Sequence, residues 1–194
     1  MVICQYLRDP IFTIVSNHTR TLTPGKAYSM LPLPDPDKEA FDYMTEIRLA
    51  KESDLPRILE LYRELSMITT KVEQDLTTSG DDYRRVFTEI SGNPRRELLV
   101  AEYEGEVVGT VALFIIPNLS HGATPYALVE NLIVNHKYRR KGIAKKLMEY
   151  TIARARQEGC HRIELCSSKG RREAHRRYRS VGFEPEAYGF RIWF

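Results

Sequence analysis

A basic turn between an apolar strand and an amphipathic helix offers the clearest chemistry in this 194-residue sequence. The segment ALVENLIVNHKYRRKGIAKKLMEYTIARARQEG, residues 127–159, predicts a strand, a turn rich in Arg and Lys, and a helix over Ile143–Gln157. Backbone N–H groups at the start of a helix lack partners, and the helix dipole adds positive character there. Gly142 lets an anion approach the backbone closely. The segment therefore predicts a site that binds the phosphates of a ligand.

The spacing within this turn excludes two common nucleotide-binding motifs. It lacks the first Gly and the Lys-Ser/Thr pair of G-x-x-x-x-G-K-[ST], and it does not follow G-x-G-x-x-G. Arg139, Gly142 and Ala144 instead read R-x-x-G-x-A, which resembles the coenzyme A pyrophosphate signature of the GCN5-related N-acetyltransferase (GNAT) superfamily. Downstream, EAHRRYRSVGF at residues 173–183 resembles the A-x-x-x-Y-x-x-x-G-F segment of that family. The resemblance covers residues 45–194.

The resemblance implies an N-acetyltransferase that moves an acetyl group from acetyl-coenzyme A to a primary amine by direct attack in a ternary complex. It implies that strand backbone pairs with the pantetheine arm, as a sheet edge pairs with a peptide, and that the turn binds the pyrophosphate. Many family members carry an Asn seven residues before the Tyr, where this chain has Arg171 followed by Arg172, and either could reach a phosphate instead. The other expected coenzyme-binding residues are Leu132, Ile133, Val134, Arg139, Arg140, Lys141, Gly142, Ile143, Ala144 and Lys145.

Glu130 is the candidate general base for amide formation. An alkylammonium with a pKa of about 10.4 must lose a proton before its nitrogen can attack a thioester. Counting by twos along LVENLIV places Glu130 on the same face as Leu128, Leu132 and Val134. Apolar neighbours raise a carboxyl pKa towards neutral pH, which suits a base. The family often places a Glu in this strand, acting through a water. The alternative is that Glu130 faces solvent or pairs with an Arg.

Tyr178 is the candidate general acid. A phenol can donate its proton to a thiolate as the thiolate forms, and the resemblance implies a Tyr near the thioester sulfur at this position. The alternative is a packing role, because Ala174, Tyr178 and Val181 form an apolar stripe at helical spacing. The two roles are compatible, since a buried Tyr usually keeps its hydroxyl hydrogen-bonded.

The charge of the chain is unevenly distributed. The net charge is +3, yet residues 137–194 contain 16 Lys and Arg against 6 Asp and Glu, and the remainder is acidic. A polyanion should therefore bind the C-terminal third. Coenzyme A fits this, and so does a nucleic acid. Two alternatives stay open: a basic nucleic-acid-binding module, which the strand–Gly–helix pattern disfavours, and a catalytically inactive domain that binds coenzyme A.

Cysteine usage argues against both disulfides and a metal site. Three cysteines, Cys4, Cys160 and Cys166, predict reduced thiols in a cytoplasmic protein. Cys160 and His161 point to opposite faces of a strand, and no other Cys or His has ligand spacing, so no metal is expected.

No apolar run approaches the roughly 20 residues that span a bilayer, so no membrane association is expected.

The remaining elements must position these groups. The sequence predicts the order β-α-α-β-β-β-α-β-α-β from residue 45, ending in a strand at YGFRIWF. This order predicts a mixed α/β domain of the α+β type, with a largely antiparallel central sheet flanked by helices. It is also the order of the acyl-CoA N-acyltransferase (GNAT) fold. Residues 1–44, with LPLPDPD at 31–37, predict a poorly ordered N-terminal extension before a domain at 45–194.

The amine acceptor, a small molecule or a protein, is the least determined partner. The run ENLIV…KYRRKGIAKKLM is also similar to the glucosamine-phosphate acetyltransferase branch, which implies a sugar phosphate met by Arg191 or another base. The final RIWF offers an edge for a homodimer. The residues expected to line the acceptor site are Tyr62, Glu64, Tyr126, Tyr188 and Arg191.

Overall fold

The computed structural model of this chain describes residue 41 and residues 44–69 and 79–192, with side chains omitted at 66–69. The predicted extension over residues 1–44 therefore lies outside the described residues, apart from Phe41 and Met44. Phe41 is buried, and its ring stacks on Tyr103 with 3.9 Å between centroids. A residue before position 45 thus contributes to the core, and the exact start of the domain stays a prediction.

The described ranges contain five strands and four helices of at least two turns. Three shorter turns of helix lie at Glu52–Asp54, Ser120–Ala123 and His136–Tyr138. The main elements, in chain order, are β1 (Thr45–Leu49), α1 (Leu55–Thr69), α2 (Gly80–Ser91), β2 (Arg96–Tyr103), β3 (Glu106–Ile116), β4 (Tyr126–Val134), α3 (Ile143–Gln157), β5 (Ile163–Leu165) and α4 (Arg172–Ser180).

The strands form one mixed sheet in the order β1-β2-β3-β4-β5. Neighbours from β1 to β4 are antiparallel, and β5 runs parallel to β4. The two-residue connection between β2 and β3 suits an antiparallel pair, whereas the parallel step from β4 to β5 needs the crossover that α3 supplies. The predicted fold class, a largely antiparallel sheet flanked by helices, is confirmed.

Helices cover both faces of the sheet and create two core clusters. On one face α1 and α2 bury Ile58, Leu61 and Phe87 against the sheet. On the other face α3 buries Leu147 and Met148, both with no exposed surface. Fully burying a side chain of this size is worth about 1.5–3 kcal/mol relative to leaving it exposed. Because β3 is covered on both sides, it reads as a nearly continuous apolar run rather than an alternating one.

The predicted final strand is wrong for the described part of YGFRIWF. Residues 188–192 form no strand, and β5 spans three residues rather than the whole of HRIELCS. The side chains of Tyr188, Phe190 and Ile192 are 85%, 93% and 81% exposed. A β-rich segment needs a neighbouring edge for its backbone hydrogen bonds, and residues 188–192 pair with no strand in the described chain.

Candidate active site

A bulge divides β4 into two parts. The pairing of β4 with β3 shifts after Glu130, so that Asn131 and Leu132 together face one β3 residue, Val111. Asn131 has a φ of 56° at this point. Asn tolerates this left-handed conformation better than most residues do, because its short polar side chain can hydrogen-bond locally.

The bulge also exchanges the two faces of the strand. Ala127 and Val129, before the bulge, pack in the same core cluster as Leu132 and Val134, after it. Glu130 therefore lies on the face opposite to Leu132 and Val134. The prediction that all three share a face is wrong, because the extra residue shifts the alternation by one position.

One edge of β4 becomes unpaired near the same point. β5 pairs with β4 only at Ala127–Val129, opposite Ile163–Leu165. Along the β5 side of Leu132–Val134, the described chain places no strand. The backbone groups on that side are therefore available to an extended ligand, as at any sheet edge.

The turn after β4 is shaped by short-range hydrogen bonds. Asn135 is buried, and its Oδ1 accepts the backbone N–H of Lys137 at 3.1 Å. Arg139 Nε donates to the carbonyl of Val134 at 3.2 Å, which draws the side chain back towards the strand. Gly142 has a φ of 91°, a conformation that favours glycine, and α3 begins at the next residue. The turn therefore delivers the chain directly into a helix N-terminus beside the unpaired edge.

An open cavity of about 330 Å³ lies between this edge, the turn and α4. Most of the predicted coenzyme-binding residues line it, although they come from three separate elements. Those residues are Leu132, Ile133, Val134, Arg139, Arg140, Gly142, Ile143, Ala144 and Arg171, together with the candidate acid Tyr178.

Two predicted coenzyme-binding residues do not line the cavity. Lys141 is exposed, and its Nζ lies 4.4 Å from the centroid of the Phe41 ring, a cation–π contact. Lys145 Nζ lies 3.5 Å from Glu149 Oε1, one helical turn further along α3. Basic residues in a turn thus point in several directions, and sequence alone does not distinguish them.

Sequence reasoning missed Arg177 of α4 and named Arg172 only as an alternative to Arg171 for a phosphate contact. Arg172 and Arg177 also line the cavity, opposite the turn that begins α3. The signal was present in RREAHRRYR, because Arg177 is adjacent to Tyr178 and Arg172 lies at the start of the same helix. Cationic side chains therefore approach the cavity from both the turn before α3 and α4.

Glu130 lies close enough to Tyr178 to affect the pKa of its hydroxyl. Burial raises the pKa of the half-buried Glu130, and the nearby charge of Arg191 partly lowers it. Burial also raises the pKa of Tyr178; Arg171 opposes this shift and Glu130 adds to it. Tyr178 is only 7% exposed and belongs to the core cluster with α3. Its ring therefore packs as the alternative interpretation expected, and proton donation by its hydroxyl stays a prediction.

The residues expected around the acceptor have different environments. Burial raises the pKa of Tyr62 to about 12, and its hydroxyl lies within hydrogen-bonding reach of Thr110 and Asn131, at the bulge. Glu64 does not face a free site, because its Oε1 accepts from Asn135 Nδ2 at 2.7 Å. The guanidinium of Arg162 lies over the Tyr126 ring, 4.3 Å from its centroid, in a cation–π contact.

Neither a metal centre nor a membrane span is found in the described ranges. No group of three or more His, Cys, Asp or Glu side chains there could hold a metal ion. Cys160 and Cys166 are free thiols, and burial raises the pKa of Cys160. No described helix combines the length and the apolar character needed to cross a bilayer.

Comparison with known proteins identifies the family. Residues 55–183 match the model of the acetyltransferase (GNAT) family. In sequence, the chain is 28% identical over 126 residues to a glucosamine 6-phosphate N-acetyltransferase from Trypanosoma brucei brucei, covering 64% of this chain and 80% of that protein. It is also 28% identical over 145 residues to an aminoalkylphosphonate N-acetyltransferase from Salmonella typhimurium, covering 75% of this chain and 88% of that protein.

A solved structure supports the same fold. The crystal structure of a transcriptional regulator from Bacillus halodurans superimposes with a TM-score of 0.69 and 30% identity, covering 77% of this chain and 99% of that chain. The family match spans the strand, turn and helices that form the cavity. The resemblance to the GNAT superfamily is thereby confirmed, and the chain belongs to the acetyltransferase (GNAT) family as an enzyme that transfers an acetyl group to an amine.

Proposed function

We propose that the acetyl donor is acetyl-coenzyme A and that it binds in the cavity beside β4. The main support is that three features meet at this cavity: the unpaired edge of Leu132–Val134, the Gly142 turn and Tyr178. A volume of about 330 Å³ lies within the usual range for ligand pockets. An extended pantetheine arm suits the strand edge, and a diphosphate suits a helix N-terminus flanked by arginines. The residues present therefore fit this donor.

The chemistry follows from the positions of Glu130 and Tyr178. Acetyl-coenzyme A supplies the thioester, whose C–S bond breaks as the new C–N bond forms. Glu130 accepts the proton that the ammonium group loses, directly or through a water, and its raised pKa brings its basicity closer to neutral pH. The nitrogen loses its second proton to solvent as the amide forms, while Tyr178 gives its hydroxyl proton to the departing thiolate and recovers a proton from solvent. These two roles are proposals from residue type, burial and proximity.

The acceptor that the site supports best is a primary amine that also carries a phosphate or phosphonate group. Both curated relatives act, by name, on such compounds. In this chain the charge of Arg191 lowers the pKa of Glu130, so a cation lies near enough to the proposed base to act on it. A guanidinium at this place can bind a phosphate bidentately while the amine of the same molecule reaches Glu130.

Thiol release from acetyl-coenzyme A tests this function. The acceptors would be glucosamine 6-phosphate and 2-aminoethylphosphonate, each compared with its phosphate-free analogue, glucosamine or ethylamine. We expect thiol release with a lower KM for the phosphorylated member of each pair, and Arg191→Met should remove that advantage. Equal KM values within each pair would overturn the phosphate requirement. Absence of thiol release with every amine tested would count against the proposed donor.

Nucleic acid is the competing polyanion. The Bacillus halodurans structure is named as a transcriptional regulator, and the C-terminal third of this chain is strongly basic. However, Arg171, Arg172 and Arg177 line a cavity, which suits a small anionic ligand more than a long duplex. Binding to a nucleic acid should fall steeply as salt rises, by about 10³–10⁵ between 50 and 200 mM for six to ten phosphate contacts. We expect no such binding at physiological salt.

The exposed C-terminal tail supports a homodimer as a further part of this proposal. Tyr188, Phe190 and Ile192 alternate along residues 188–192 and leave their apolar side chains in solvent. A second copy would bury them and pair their backbone. Analytical ultracentrifugation should show a dimer for the full wild-type chain and a monomer for Phe190→Asp.

A cytoplasmic location is also proposed, because Cys160 and Cys166 are free thiols.

A further inference from the structure

We propose that Glu64 of α1 is a positioning residue that orients Arg139 and the turn after β4 for binding of the coenzyme diphosphate. This inference rests on the proposed function. Glu64 lies 75 positions before Arg139 in the sequence, on a helix that covers the opposite face of the sheet from α3. Its role would be exerted through Arg139 rather than by contact with the reacting atoms.

The Glu64 carboxylate contacts three successive parts of the turn. Its Oε1 accepts from Asn135 Nδ2 at 2.7 Å. Its Oε2 accepts the backbone N–H of His136 at 3.2 Å and lies 3.3 Å from His136 Nδ1. The same Oε2 lies 3.7 Å from Arg139 Nη2. One side chain therefore connects α1 to the residues that lead into the cavity.

These contacts restrict the guanidinium of Arg139 from two sides. Its Nε donates to the carbonyl of Val134, and one terminal nitrogen is close to Glu64. A guanidinium has five N–H donors in a rigid plane, so two fixed directions leave the remaining donors aimed in a defined direction. Because Arg139 lines the cavity, those remaining donors are available to a diphosphate.

The sign of the effect separates positioning from simple electrostatics. The Glu64 side chain is 24% exposed and that of Arg139 is 44% exposed, so solvent weakens the direct charge interaction between them. A carboxylate that acted only through its charge would repel an incoming diphosphate, and removing it would tighten binding. A carboxylate that orients Arg139 has the opposite effect, because removing it frees the guanidinium and weakens binding.

α1 also has an attachment that does not involve Glu64. Arg57 Nε donates to the carbonyl of Val107 at 3.0 Å, and its Nη2 contacts Glu106 Oε1 at 2.7 Å. The helix should therefore keep its place when Glu64 is changed. Glu60 is a matched control, because it lies one turn earlier on α1, is 54% exposed and pairs with Arg57.

Calorimetric titration of the full chain with coenzyme A tests the inference. We expect Glu64→Gln to raise the Kd about tenfold, the loss of one or two hydrogen bonds to a charged group. Glu60→Gln should bind as the wild type does. Arg139→Met should weaken binding, and the Glu64→Gln change should have no further effect in the Arg139→Met background. A residue with a purely structural role would weaken both backgrounds equally.

Tighter or unchanged binding by Glu64→Gln would overturn the positioning role, as would equal losses in the two Arg139 backgrounds. If Glu64→Gln fails to fold, Glu64→Asp keeps the charge but shortens the side chain by one methylene, and we expect it also to weaken binding. Unchanged binding by Glu64→Asp would then overturn the inference. Failure of the wild type to bind coenzyme A would instead contradict the proposed function itself.

Discussion

The two parts of β4, on either side of the bulge at Asn131, carry different functions on one strand. The first part pairs with both β3 and β5 and carries Glu130 on one face. The second part, Leu132–Val134, keeps β3 as its partner and presents an unpaired edge to the cavity. The difference teaches that one extra residue can separate a candidate base from a binding edge that begins only two positions further along the strand.

The largest expected effect concerns the first part. Glu130→Gln removes the proposed base and keeps the shape of the side chain, so kcat should fall about 10²–10⁴-fold. The KM for acetyl-coenzyme A should stay unchanged, because Glu130 does not line the cavity. Glu46→Gln, on exposed β1 surface, is the control and should behave as wild type. A variant Glu130→Gln with normal kcat would remove the catalytic distinction between the two parts of β4.

The second largest effect concerns the proposed acid. Tyr178→Phe keeps the ring packed in the core but removes the hydroxyl, so kcat should fall about 10²-fold with little loss of thermal stability. Steady-state kinetics and a melting curve would measure both. Thermal destabilisation with kcat unaffected would assign Tyr178 to packing alone.

A smaller effect should appear beside the second part, in the turn before α3. Gly142→Ala places a Cβ on a residue with φ of 91°, which costs about 1–2 kcal/mol. We expect the resulting shift of the turn to weaken coenzyme A binding about tenfold. Gly105→Ala is the matched control, since Gly105 has φ of 79° in the β2–β3 turn and does not line the cavity. Equal coenzyme affinity in the two variants would count against the Gly142 turn as the diphosphate site.

The bulge itself can be tested through stability. Asn131→Val forces a β-branched residue into a left-handed conformation and should lower the free energy of unfolding by about 1–2 kcal/mol. Asn131→Gly accepts this conformation and should cost much less. Urea unfolding would measure both, and similar stabilities for the two variants would show that the bulge does not depend on this backbone conformation.

The smallest effect is a shift of the pH profile. The base must be deprotonated to act, so kcat should fall as pH drops through the Glu130 pKa, which burial holds above 4.5. Arg191 lowers that pKa, so Arg191→Met should move the acidic limb of the profile to higher pH. An acidic limb that stays in place, or moves to lower pH, would show that the charge of Arg191 does not lower the pKa of the base.

The part of the site that sequence predicted well depends on local signals. Gly142, the basic turn and the helix over Ile143–Gln157 lie within one short segment, and the structure gives that helix the same bounds. A glycine before an amphipathic helix restricts the backbone wherever it occurs. Local chemistry was therefore enough to predict the turn and the helix that follows it.

The features that sequence did not predict depend on distant partners. The bulge is defined by the register with β3, so counting along β4 alone assigned Leu132 to the wrong face. Glu64 appeared to suit an acceptor wall, but it contacts Asn135, 71 residues further along the chain. The tail reads as a strand by composition, yet in a single described chain residues 188–192 have no edge to pair with.

A crystal structure with coenzyme A bound tests the central claim most directly. We predict the pantetheine arm along the unpaired edge of Leu132–Val134, the diphosphate against the backbone amides that follow Gly142, and the sulfur within hydrogen-bond reach of the Tyr178 hydroxyl. Density for the coenzyme on another surface, or a sulfur far from both Tyr178 and Glu130, would contradict the account.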